Sequence, residues 1–161
     1  MKLRKLALLA VALLLAACGS ASNGSSGSGG TRVGMPDIPL SWQVPAELRE
    51  RLSAEPLTRD DGEFAASFFE SGGIAAVTVK YAPLTGGEPS ILMTVFWFPM
   101  DAFERAQNPN EPPLFGTKVV ERDGYVLSVA GPTDAMYDGE DGRAITTLYE
   151  LMYNPNSWSA D

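Results

Sequence analysis

Apolar residues fall along the chain in short runs separated by turn-forming positions. The first run, Leu6–Leu15, contains only Leu, Ala and Val and follows Lys2, Arg4 and Lys5. It is too short for a stable bilayer-spanning helix, which takes about 20 residues. A basic start, a short apolar middle and small residues behind it form the pattern of a secretory signal peptide over residues 1–17. Residues 19–34, GSASNGSSGSGGTRVG, have no periodicity and little apolar surface. They are expected to form a flexible tether, with a typical end-to-end distance of roughly 20–25 Å and about 55 Å when straight. A single domain over residues 35–161 is then expected to start near Met35-Pro36.

Within that domain the rhythm is mixed, with strands leading. Ile38–Val44, carrying Trp42, predicts a short strand, and Pro45 opens a helical turn whose apolar side is Leu48 with Leu52. Phe64–Glu70, Ile74–Ala82 and Ser90–Phe98, taken together, are rich in aromatic and β-branched residues and are punctuated by Gly72-Gly73 and Gly86-Gly87, which predicts a three-stranded antiparallel meander. Ser90–Phe98, SILMTVFWF, is apolar on both alternating faces, as a central strand covered on both sides would be. Asp101 is expected to cap a short helix through Gln107, with Phe103 inward. Thr117–Glu121 and Tyr125–Ala130 flank Asp123-Gly124, a strong hairpin signal. Ile145, Leu148 and Met152 make one face of a final helix over Glu140–Tyr153. The fold class this order defines is α+β, an antiparallel sheet flanked by helices.

Composition narrows the chemistry. The chain has 161 residues, no histidine and one cysteine. A histidine-based triad and a histidine or Cys/His metal site are therefore excluded. Once residues 1–17 are removed, 9 basic residues face 20 acidic ones. That imbalance argues against nucleic acid as a partner and against electrostatic docking on anionic lipid. No cofactor is expected.

Three clusters are candidates for function. Asp134, Asp138, Glu140 and Asp141 lie in a glycine-containing stretch able to wrap calcium, which takes six to eight oxygens. The other reading places Glu140 and Asp141 in the first turn of the last helix, where acids suit the helix dipole. Lys80 and Lys118 fall on expected strands facing solvent, outside any Ser-x-x-Lys frame, and no Gly-x-Ser-x-Gly elbow occurs. A hydrolase would have to rely on a carboxylate pair that nothing marks. Phe96-Trp97-Phe98 reads first as core. Alternatively one face, that of Trp97 with Tyr81 or Trp42 nearby, forms a wall for an apolar ligand or partner.

Two resemblances extend this reading. Leu15-Ala16-Ala17-Cys18 resembles the lipobox of bacterial lipoproteins. The resemblance implies cleavage between Ala17 and Cys18 and acyl chains on Cys18, which anchor the protein on the outer face of the cell membrane, or on the outer membrane where there are two. Two or three acyl chains hold a protein stably at a bilayer, whereas one alone binds reversibly. From Pro39 to Met152, "SWQVP", "ILMTVFWF" and "ERDGYVLSVAGPTDAMYDGED" resemble small bacterial lipoproteins of uncharacterised function, with an architecture similar to the Mog1/PsbP-like fold. That resemblance implies a non-enzymatic binding or accessory module for an unknown protein or small ligand. A calcium-binding envelope lipoprotein and a carboxylate-dependent hydrolase are the alternatives.

Overall fold

The computed structural model describes residues 30–131 and 137–161. In chain order these form β1 (Gly30–Gly34), β2 (Leu40–Pro45), α1 (Ala46–Arg49), β3 (Leu52–Leu57), α2 (Glu63–Glu70), β4 (Ala75–Tyr81), β5 (Ser90–Pro99), α3 (Met100–Ala106), β6 (Thr117–Arg122), β7 (Tyr125–Ala130), α4 (Gly139–Met152), a 3₁₀ turn (Pro155–Ser157) and β8 (Trp158–Ala160). The class is α+β, with every strand pairing antiparallel. A five-stranded sheet has the order β3-β4-β5-β7-β6, and a three-stranded one has the order β1-β2-β8.

The larger sheet is apolar on both faces, so both must be covered, and β5 occupies its centre as SILMTVFWF requires. Val95 and Trp97 enter one cluster with Val77, Val79 and Leu127, closed by the small sheet (Val33, Leu40, Trp42) and by Ile145, Leu148 and Met152 of α4. Phe96 and Phe98 point the other way into a second cluster with Phe68 of α2, Phe103 of α3 and Phe115. A bulge in β5 pairs Val79 with Met93 but Lys80 with Ile91, leaving Leu92 as the extra residue. The insertion turns Leu92 and Met93 into the same cluster, the local re-aiming that bulges produce.

Several expectations are corrected. Residues 30–34 are not tether but strand, paired from Gly30↔Pro45 to Gly34↔Ser41, with Val33 only 1% exposed. The domain therefore begins no later than Gly30. Residues 64–70 form a helix rather than a strand, because Ala65 and Phe68 are buried at helical spacing and the segment has no β-branched residue to favour the pleat. Leu52 does not continue the helical turn; that turn ends at Arg49 and Leu52 opens β3, which the apolar pattern did not reveal. Asp101 is not the N-cap residue, which is Pro99. It lies in the first turn of α3 behind Pro99 and pairs with Arg105 four residues on, at 2.6 Å. β8, whose Trp158 stacks on Trp42 with centroids 6.0 Å apart, was also unanticipated.

Candidate functional site

The residues singled out from sequence separate into three environments. Trp42 and Tyr81 are fully buried, so neither lines a surface. Trp42 stacks on Trp158 inside the small sheet. Tyr81, on β4, points its hydroxyl at the first turn of α4. The expected surface of Trp97 with Tyr81 or Trp42 is thereby corrected. All three belong to one apolar cluster, and of the three only Trp97 reaches an opening.

Asp141 sits in the first helical turn, as the dipole reading expects, but it is buried at 3% exposure. Its carboxylate receives Tyr81 Oη at 2.7 Å and the Leu84 amide at 2.8 Å. The Thr85 amide and hydroxyl follow at 3.4 and 3.3 Å. The Leu84 amide first, then the Tyr81 hydroxyl, hold this carboxyl below the ordinary aspartate value, because donors favour the charged form. Burial, and next the facing carboxylate, push the Tyr81 phenol upward, so it stays a neutral donor. Asp141 is thus spent on tying the β4–β5 loop to α4 and is withdrawn from the calcium set. Asp138 and Glu140 are exposed, and Asp134 lies outside the described residues. No group of three or more metal-ligating side chains converges among the described residues. Ala17 and Cys18 also lie outside the described residues.

The opening at Trp97 is a groove of about 500 Å³ where the ends of the two sheets meet. Pro39, Leu40 and Ala160 form its wall on the small sheet, and Ile74, Trp97 and Tyr125 its wall on the large one. Trp97 and Tyr125 stack with centroids 5.4 Å apart and planes 13° from parallel. Trp97 is 6% exposed, Tyr125 38% and Ile74 49%, so Tyr125 and Ile74 supply most of the accessible apolar surface. The Asp123-Gly124 turn places Arg122 and Asp123 at the rim, with Asp123 Oδ2 3.3 Å from Arg122 Nε. Asp161 lies on the opposite rim and accepts a hydrogen bond from Ser41. Sequence reasoning found Trp97 but missed Tyr125, Ile74 and Asp161. The register Pro99↔Tyr125 that sets Tyr125 beside the end of β5 is a long-range fact.

The two lysines of the body are engaged on strands, Lys80 with Glu55 at 2.5 Å and Lys118 with Glu121 at 3.0 Å. The described residues therefore form an α+β domain with an aromatic, charge-rimmed groove where its sheets meet. No family model, curated protein or solved structure matches the chain. The resemblance to Mog1/PsbP-like lipoproteins stands on the quoted residues alone.

Proposed function

We propose that this protein is a lipid-anchored extracytoplasmic binding module, non-enzymatic, held to the membrane by acyl chains on Cys18 and binding its ligand or partner at the Trp97–Tyr125 groove. The observation that carries the reading is the exposed pair Tyr125 and Ile74 over a buried Trp97, ringed by charge. An aromatic and aliphatic centre inside a polar rim is the anatomy of a recognition site. The anchoring half rests on the lipobox pattern. No helix among the described residues is long and apolar enough to cross a membrane. The non-enzymatic half rests on the resemblance to small bacterial lipoproteins.

The test is crosslinking in intact cells followed by purification and mass spectrometry of what is captured. Three forms are compared: wild type, Tyr125→Ala, and Cys18→Ala, which should be secreted without its anchor. Tyr125 is surface-exposed enough that its replacement leaves the fold in place, which a melting curve checks. A partner captured by wild type and lost in both variants supports the reading. Capture unaffected by Tyr125→Ala removes the groove from it, and membrane retention of Cys18→Ala removes the anchor.

A further inference from the structure

The chemistry of the groove specifies more than that something binds there, and the step that follows rests on the reading of the groove as the binding site. Its volume of about 500 Å³ falls within the roughly 300–1,000 Å³ of small-molecule sites. Its accessible wall is a tyrosine ring backed by a stacked tryptophan, and an aromatic face attracts a cation set above it. The rim holds two carboxylates, Asp123 and Asp161, against one guanidinium, Arg122. That guanidinium is already turned to Asp123. Asp161 has no ion pair among the described residues, and its carboxylate is oriented by the buried Ser41 hydroxyl.

These features select by charge. An anionic ligand would meet the unpaired carboxylate of Asp161 and a guanidinium whose Nε is already turned to Asp123. A neutral apolar ligand would fill the groove but draw water away from Asp161 without giving it a partner, which costs free energy. A ligand with an apolar or aromatic body and one ammonium group satisfies both walls. The body covers Ile74 and Tyr125, and the charge lies between the ring face and Asp161. We propose that the groove binds a small amphipathic organic cation. The body's excess of acidic residues adds a long-range attraction of the same sign.

The test uses the full chain with Cys18→Ala, which offers no acyl chains for a probe to partition into. Three probes of matched shape are titrated, phenethylammonium, phenethyl alcohol and phenylacetate, and the amide NMR signals around Ile74 and Tyr125 are followed. The expected order is ammonium tightest, about tenfold ahead of the alcohol, with phenylacetate weakest. Asp161→Asn should bring the ammonium down to the affinity of the alcohol. Raising salt to 0.5 M should narrow the same gap in the unaltered groove, since a partly exposed charge pair is screened. Equal binding of ammonium and alcohol, or tighter binding of phenylacetate, would overturn the assignment of a cation while leaving the groove as a binding site. Absence of any shift at these amides with all three probes would overturn both.

Discussion

Asp141 shows how one residue can look like a ligand and be a fastener. It belongs to an acidic run, and from sequence that run admits either a cation or a helix start. The structure surrounds its carboxylate with four donors from Tyr81, Leu84 and Thr85, and a carboxylate so occupied is stabilised as the anion. Its folded-state pKa therefore lies below the ordinary 3.8. A depressed pKa contributes stability that is fully present above the unfolded value and is lost as pH falls from about 3.8 through the folded value. Asp141→Asn keeps the shape, but it turns an amide NH₂ towards donors and removes the charge. The melting temperature should fall by about 5–10 °C at neutral pH. The gap to wild type should shrink as the pH is taken below 3.8. Asp61 and Asp101 are also held low, but both variants share them, so they cancel in the difference. A gap that stays constant down to pH 2 would show that the carboxylate is not what ties the loop.

At the scale of elements, β1 carries the sharpest disagreement between pattern and structure. GTRVG has two glycines and one apolar residue and follows a Gly/Ser stretch, so nothing local sets it apart from a linker. Its strand state is imposed by the partner. β2 offers a free edge, and Val33 drops opposite Trp42 into the core. Removing residues 1–29 should leave the melting temperature unchanged, whereas starting the chain at Met35 should lower stability by at least about 2 kcal/mol from the loss of Val33 burial alone. Melting curves of the two truncations decide this, and equal midpoints would return residues 30–34 to the tether. The same physics explains what else was legible. β4, β5, β7 and α4 announce themselves through strong periodicity and the Asp123-Gly124 turn, because each buries a continuous face of its own. β3, with Glu55 and Pro56 exposed, and the three-residue β8 bury too little to leave a pattern. α2 was misread because its aromatic residues resemble a strand by type, while its spacing, Ala65 to Phe68, is that of a helix. The groove was half visible for a related reason. Trp97 lies in a periodic run, but its companions arrive from the residue before β4, the start of β7 and the residue after β8, which only the folded register brings together.

The whole molecule has a polarity that follows from where β1 begins. Gly30 pairs with Pro45 at one end of the small sheet, whereas Leu40 pairs with Ala160 at the other, beside the groove. From Leu40 to Pro45 the strand covers about 17 Å. If Cys18 carries the anchor, the chain enters the domain at the pole away from the groove, and the binding site faces outward. The correction at β1 also shortens the segment expected between Cys18 and the domain to residues 19–29. Deleting residues 20–29 should therefore pull the body down with its orientation preserved and its melting temperature unaltered. Spin labels on Glu47→Cys and Asp123→Cys read this directly, since an acylated Cys18 leaves the new thiol as the single site of labelling. With a relaxation agent confined to lipid headgroups, the label at position 47 should relax at least about threefold faster than that at 123 in the shortened protein, the two lying near opposite ends of a strand of about 17 Å. Both labels should be little affected in the full-length one. Equal relaxation at the two positions would mean that the body lies on its side and that the groove has no outward bias.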